Sequence, residues 1–414
     1  MSGAVTTSSE PLSLFNATAS ALKQVSSMQQ ALVDEAVAAE DLRQARASLL
    51  PRLRDSYTIT YNSPERPRAD PPIASFIAAN AVHEYQNLLG VTGSWDLGLV
   101  AAVRRSRALL DAARAGSEIA RRSLIRGVSE AYYAAALATA KRVAAEQSLA
   151  SAEEFEHVTE LNYHAGEIPE VDLIRARLQT AARRDDLAQA QQAEFIGNAS
   201  LGTLLGQGVT SAPSIEPLPQ TVDLHAIDNL TAAGVARRPE FAQLSAQSRA
   251  ARLDVTAARA TLLPRITYSL DKGFDSSSLR TEEVRLHRGT LATASIDVPL
   301  FDWGATQGRI RQAQLRARSA ELQRQMLTRE LYLQFAIARE QAITAAARVE
   351  NARAVLADAE RNVTISIARY RAGEAPITEA TDAQTARAQQ RFTLQQALYD
   401  FQVAANHLRE AAGE

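Results

Sequence analysis

What most constrains this chain is that its sequence is written twice. Residues 45–53 read ARASLLPRL and residues 258–266 read ARATLLPRI, an offset of 213 positions. Residues 163–169 read YHAGEIP and residues 370–376 read YRAGEAP, an offset of 207. Two matches in the same order at nearly one offset argue for a duplicated unit of roughly 200 residues, so each half should repeat one architecture.

Within each half the polarity changes period. After Pro51, Tyr57, Ile59 and Tyr61 alternate with Ser56, Thr58 and Thr60, which predicts a strand with one apolar face. Ile266, Tyr268 and Leu270 repeat this after Pro264. A second strand in the first half sets Leu89, Val91, Trp95, Leu97 and Leu99 against Gly90, Thr92, Ser94, Asp96 and Gly98. Its counterpart sets Ala292, Ala294, Ile296, Val298 and Leu300 against Leu291, Thr293, Ser295 and Asp297, so the other face is small and polar apart from Leu291.

Between these hairpins the chain is rich in Ala, Leu, Arg, Gln and Glu, which lose least on entering a helix. Leu331, Phe335, Ala338, Ala342, Ala345, Val349, Ala352, Leu356, Ala359 and Val363 are spaced four then three, a heptad seam. Position 366 is Ser, so the stripe is expected to slip to Ile367 before Tyr370. The first half carries a degraded seam, Val128, Ala131, Ala135, Ala138, Ala145, Leu149 and Ala152, interrupted by Arg142 and Glu156. Frequent alanine in both seams lets helix backbones approach closely.

The expected organisation follows. Residues 1–205 form the first repeat, with a helix over 16–50, a strand hairpin over about 51–99, a long helix over 100–163, a turn, and a returning helix over 169–205. Residues 206–238 form a linker whose first part, 206–223, holds Pro213, Pro217 and Pro219. Residues 239–414 form the second repeat, with a helix over 239–263, a hairpin over about 264–300, a long helix over 305–370 and a returning helix over 376–411. At 1.5 Å per residue each long helix spans roughly 95–100 Å, and two shorter ones end to end match it. Four helical columns per chain result, two continuous and two spliced.

Several function classes drop out. Forty-five basic against 47 acidic residues give a net charge of −2, without the excess that a nucleic-acid backbone demands. The absence of cysteine removes disulfides, thiolate metal sites and cysteine nucleophiles. Histidines 83, 157, 164, 225, 287 and 407 show no metal-ligand spacing, and no phosphate loop or nucleophile elbow occurs, so neither metal, cofactor nor enzymatic activity is expected. No uninterrupted apolar run reaches about 18 residues, so any bilayer contact must be made by strands. The first 22 residues lack a basic stretch followed by an apolar one, so an export signal is either absent or already removed.

Four strands cannot close a barrel alone, and an open sheet with one apolar and one polar face invites neighbours. Two, three or four chains would supply 8, 12 or 16 strands. Tyr57, Tyr61, Trp95, Tyr268 and Trp303, in or beside the strands, fit interfacial girdles as well as burial against neighbours.

The Tyr-x-Ala-Gly-Glu-x-Pro pair, the LLPR strand entries, the RPEF helix start at 238–241 and the IDVPLFDWG run at 296–304 together resemble the TolC-type outer-membrane efflux protein family over nearly the whole chain. The resemblance implies a mainly α fold with a small β part: a homotrimer whose 12-strand transmembrane barrel continues into a 12-helix coiled-coil barrel. It implies a location in the outer membrane of a Gram-negative bacterium with a long periplasmic extension, contact with outer-membrane lipid, and a passive exit duct of a tripartite efflux or type I secretion system. A periplasmic adaptor and an inner-membrane pump would be its partners. A soluble coiled-coil adaptor or scaffold with a small β domain is the other reading of the pattern.

By the same resemblance the two Gly-containing turns form the periplasmic tip, with adaptor contact on Tyr163, Ala165, Gly166, Tyr370, Ala372 and Gly373. Just beyond the turns, Asp172, Glu379 and Asp382 would ring a negatively charged constriction that favours cations. Where some members carry a gate arginine this chain has Ala375, leaving Arg175 or Arg371 as substitutes. Simpler roles exist for these residues: carboxylates in a first helical turn favour the helix dipole, glycines at a turn supply positive φ, and Pro169 and Pro376 suit a first helical turn.

Overall fold

The computed structural model describes residues 11–61, 83–208 and 214–414. These divide into two units, Asp34–Arg114 with Ala242–Gln325, and Met1–Val33 with Ala115–Phe241 and Met326–Glu414.

The first unit carries the strands. β1 (Arg52–Tyr61), β2 (His83–Trp95), β3 (Arg265–Ser276) and β4 (Arg288–Asp297) form one antiparallel sheet in sequence order. The register sets Leu53 beside Val91, Leu270 and Ala292, and Trp95 beside Ile266 and Ile296. Directly opposed residues share a face, so Leu53, Tyr57, Ile59, Tyr85, Leu89, Val91, Trp95, Ile266, Tyr268, Leu270, Phe274 and Ile296 all lie on one side. Ser56, Thr58, Thr60, Thr92, Ser94, Thr267, Ser269, Thr293 and Ser295 lie on the other, with Leu291 the expected exception and Leu88 a second. Polar residues interrupt the apolar face in two neighbouring rows: Asp55, Lys272 and Thr290 in one, Asn87 and Arg288 in the next, with Asn87 donating to Asp55. The Tyr268 ring lies over Gly93, where a Cβ would come within 2.5 Å of it. Neither β1 nor β4 has a partner on its outer edge among the described residues.

Two strand expectations change. The alternation does not continue to Leu97 and Leu99: β2 stops at Trp95, and α3 (Leu97–His164) begins because Asp96 Oδ1 accepts the Leu99 N–H at 2.9 Å. In the second half β4 likewise stops at Asp297, so Val298 and Leu300 follow it outside the strand. A short helix, α7 (Thr281–Leu286), stands between β3 and β4, and residues 62–82 of the first hairpin lie outside the described residues.

The first helical stretch is two helices, α1 (Leu14–Ala21) and α2 (Ser27–Ala47). The break sets Gln24 against Gly206, at the end of α4 (Glu170–Leu204). The other helices fall close to expectation: α6 (Pro239–Ala260), α8 (Ala305–Arg371) and α9 (Ile377–Ala411). α3 has 68 residues and α8 has 67. In the linker, α5 (Leu224–Asp228) and a 3-10 turn (Ala232–Arg237) follow Pro217 and Pro219, while Pro213 lies outside the described residues.

The second unit is held by the two seams. Leu331, Phe335, Ala338, Ala342, Ala345 and Val349 are buried with Leu398, Phe401 and Leu408 of α9. Val128 and Ala135 are buried with Leu201 of α4 and Ala17 and Ala21 of α1. Backbones do approach closely: a Cβ on Gly197 would sit 3.2 Å from Ala135 Cα. Arg142 is accommodated by Glu146 at 2.5 Å and by Glu194 of α4 at 2.7 Å. At its end the apolar stripe passes to Ile367 and Tyr370, as expected, and both pack against the cluster of Phe155, Ala176, Ile377 and Ala380; Ser366 keeps the strict heptad position and is buried too, because its small side chain fits there.

The linker is tied down by backbone contacts. The Leu12 N–H donates to the Ser214 carbonyl at 2.6 Å, and the Tyr132 hydroxyl donates to the Leu12 carbonyl at 2.8 Å. Burial, helped by the charge of Glu216, pushes the Tyr132 phenol up to about 12. A Cβ on Gly234 would lie 2.1 Å from the Ala412 carbonyl oxygen, so the 3-10 turn rests on the end of α9.

Candidate functional site

Both hairpin turns are built alike. Gly166 has φ 77° and Gly373 φ 71°, the left-handed conformation that glycine adopts without steric cost. At the first turn the Gly166 N–H donates to Tyr163 O (2.9 Å) and the Glu167 N–H to Asn162 O (3.0 Å). At the second, Gly373 donates to Tyr370 O (3.0 Å) and Glu374 to Arg369 O (2.9 Å). These paired bonds are Schellman closures, which satisfy carbonyls that a helix end leaves open.

Pro169 and Pro376 stand one place earlier than expected. Both are N-caps in extended backbone, and α4 and α9 start at the next residue. Asp172 and Glu379 therefore occupy the same third helical position, their N–H groups donating to the Pro169 and Pro376 carbonyls at 3.0 and 3.1 Å. Either carboxylate favours the positive end of its helix dipole.

Beyond that shared position the two repeats differ. Asp172 keeps 15% of its side-chain exposure and faces Arg175 at 3.7 Å, a loose pair one turn along α4. It also lies beside Tyr370: burial, with the Asp172 charge second, pushes the Tyr370 phenol up from its ordinary range. Glu379 pairs with Arg369 at 2.5 Å, with 46% and 33% side-chain exposure for arginine and glutamate. This ion pair joins the last turn of α8 to the first of α9. Of the two expected substitutes, Arg175 pairs with Asp172 and Arg371 has no acidic partner among the described residues; Arg369 reaches Glu379 instead. Asp382, one turn further, is exposed and has no ion pair among the described residues.

The tip residues also separate. Ala165, Gly166, Ala372 and Gly373 are exposed, and Tyr163 is half-buried beside His164, ring centroids 5.6 Å apart. Tyr370 turns inward, 5.7 Å from the Phe155 ring and against the cluster of Ala176, Ile377 and Ala380. Gln179 of α4 donates to Gln384 of α9 at 2.8 Å, tying the two returning helices together. Among the described residues no group of acidic and histidine side chains is placed to hold a metal, and no helix is long and apolar enough to cross a membrane.

The RPEF run has a structural role that the sequence did not disclose. Arg238 is buried, ion-paired with Glu240 at 2.6 Å and bonded to Gln334 of α8 at 3.1 Å. Burial pulls the Glu240 carboxyl upward, but the Arg238 hydrogen bonds and charge outweigh it and leave the pKa below the ordinary carboxylate range.

Known structures share this arrangement. The chain superposes on CusC with a TM-score of 0.87 at 20% identity, covering 97% of this chain and 92% of that one. For the outer membrane protein VceC of Vibrio cholerae the values are 0.83, 20%, 97% and 96%, and for the CmeC outer membrane channel of Campylobacter jejuni 0.83, 18%, 97% and 85%. At such identities the likeness is one of fold. A family model described as outer membrane efflux protein matches residues 17–207 and 234–414, one stretch for each repeat. With both halves matched and the turns, strands and seams in their places, this chain belongs to the outer membrane efflux protein family.

Proposed function

We propose that three copies of this chain form an outer-membrane exit duct of a tripartite efflux or type I secretion system. The observation that carries this reading is the sheet: one face largely apolar and exposed, the other polar, and both edge strands unpaired among the described residues. Unpaired strand edges are costly in hydrocarbon, so strands that meet lipid must close on further strands. Twelve strands from three copies close a barrel with a polar lumen. A soluble adaptor or scaffold would leave that apolar face against water.

The helices add a second line of support. α8 buries one heptad seam within the chain and leaves Leu315, Leu322, Met326, Leu333 and Ile337 exposed at steps of seven and four. A helix with two seams has a neighbour on each side, as in a closed tube of twelve columns. In this duct the turns at Gly166 and Gly373 are the periplasmic tip. A periplasmic adaptor supplied with substrate by an inner-membrane pump docks on Tyr163, Ala165, Gly166, Ala372 and Gly373, with Tyr370 as the inward anchor of that surface. Opening swings the returning helices outward from the long ones, breaking the contacts around Asp172 and Glu379, and substrate diffuses outward with no covalent bond made or broken. Asp172, Glu379 and Asp382 line the narrowing.

Planar-bilayer conductance tests the reading. The purified protein should insert and conduct with cation selectivity, and replacing Asp172, Glu379 and Asp382 together by Ala should abolish that selectivity. A protein that inserts no conducting pore, or a triple variant as cation-selective as the original, overturns it.

A further inference from the structure

The duplication extends to the way the sheet is jointed. Leu53 and Ile266 are equivalent places in the two repeats, so β1 corresponds to β3. Arg52 and Arg265 open those strands and face Thr92 and Asp297, so β2 and β4 correspond in turn, Thr92 matching Asp297. The joint between the repeats is the β2–β3 pair, where Asn87 faces Phe274, Leu89 faces Lys272, Val91 faces Leu270 and Thr92 faces Ser269. The two edges left over, β4 and β1, are the equivalents of the strands that make this joint.

We propose that β4 of one copy pairs with β1 of the next in the register that the β2–β3 joint dictates. Ala292 then stands opposite Tyr61, Thr293 opposite Thr60, Ala294 opposite Ile59, Ser295 opposite Thr58, Ile296 opposite Tyr57 and Asp297 opposite Ser56. This rests on the reading of the sheet as part of a wall closed by several copies. Three observations point to a second copy as the occupant of these edges. In this register every pair matches, apolar with apolar and polar with polar, whereas a slip by one residue would oppose the two faces all along the seam. Ala292 and Ala294 leave β4 shallow, while Tyr57, Ile59 and Tyr61 stand out from β1 with 54%, 60% and 63% exposure, so large side chains meet small ones. Arg54 and Asp297 have no ionic partner among the described residues, and the register sets them diagonally on the polar face, a span that long side chains cover. A slip by two residues keeps the faces but sets Ile296 against the Asp55 carboxylate in one direction and carries Asp297 four residues away from Arg54 in the other. Continued past β4, the same count brings Leu300 to Leu53, 92% and 74% exposed, just as Trp95 faces Ile266 inside the chain.

The chain has no cysteine, so cysteines can be introduced in pairs. β1 and β4 of one chain are separated by β2 and β3, so a disulfide between them joins two copies. Ala294→Cys with Ile59→Cys, and Ser295→Cys with Thr58→Cys, put the thiols on directly opposed residues, whose Cα atoms lie about 4.5–5.5 Å apart, inside disulfide range. Ala294→Cys with Tyr57→Cys, or with Tyr61→Cys, displaces them by about 7 Å along the strand, so that the Cα atoms stand about 8 Å apart and beyond bridging. Each full-length variant is weighed in detergent by light scattering, oxidised with copper phenanthroline, and run denatured without reductant. Both opposed pairs should link chains at least about tenfold more than either displaced pair. A displaced pair that links as well as the opposed ones overturns the register. If neither opposed pair links in particles that hold several copies, β4 does not meet β1 and the proposal falls while the closed wall stands. Unlinked particles of a single chain would remove the proposed duct along with the seam.

Discussion

Replacing Arg369 by Ala removes the ion pair that clasps the end of α8 to the start of α9. The partners lie 2.5 Å apart but keep 46% and 33% of their exposure, so the attraction acts in a largely aqueous dielectric. Exposed pairs contribute about 0.2–1 kcal/mol, and about 0.5 kcal/mol per copy is a suitable discounted value. If all three tips open together, their loss moves the closed–open balance by about 1.5 kcal/mol, or about tenfold. Single-channel recording at low salt measures this as open fraction. Arg369→Ala should raise it about tenfold, Glu379→Gln by a similar factor, and the double variant no further, because both changes remove one interaction. Near 1 M salt, where the screening length is about 3 Å, the original protein should approach the variants. An unchanged open fraction in Arg369→Ala, or factors that multiply in the double variant, would refute this view of the clasp.

Other expectations follow from the same geometry. Asp382→Asn should reduce cation selectivity more than Glu379→Gln does, since Arg369 already offsets the Glu379 charge; reversal potentials across a salt gradient decide it. Gly234→Ala forces a methyl to within 2.1 Å of the Ala412 carbonyl oxygen and should lower stability by about 1–3 kcal/mol in denaturant titrations. Glu240 has a depressed pKa in the fold, so its contribution is complete above the unfolded value of about 4.3 and is lost as pH falls through the folded one. Thermal melts from pH 7 to pH 3 should therefore fall more steeply for the original protein than for Glu240→Gln; parallel curves would contradict the assignment.

Features set by local chemistry could be read from the sequence. Gly166 and Gly373 mark their turns because positive φ selects glycine, and period-two polarity identifies the faces of β1 to β4 because successive side chains of a strand point to opposite faces. Features set by contacts distant in sequence could not. Residues 22–26 have helix-compatible composition, yet α1 and α2 part there as Gln24 meets Gly206. Ser366 interrupts the apolar pattern of the seam and is nevertheless buried in it, because a small side chain fits a helix contact as well as alanine does. Arg175 and Arg371 are the arginines that the sequence offers in place of the missing gate arginine, yet Arg369 is the one that reaches Glu379. Arg369 supplies the carbonyl that closes the Schellman turn, five residues before Glu374, and Glu379 lies three past the N-cap, positions that the turn itself brings together. Arg238 stands out in the sequence as part of a motif, but its buried hydrogen bond is to Gln334, 96 residues away.

The central claim is that each chain supplies one third of a closed wall. Light scattering with detergent subtraction tests it most directly: the protein component of the solubilised particle should weigh three times the 44.8 kDa chain. A single-chain mass, in a protein that stays in solution once detergent is withdrawn, would contradict it.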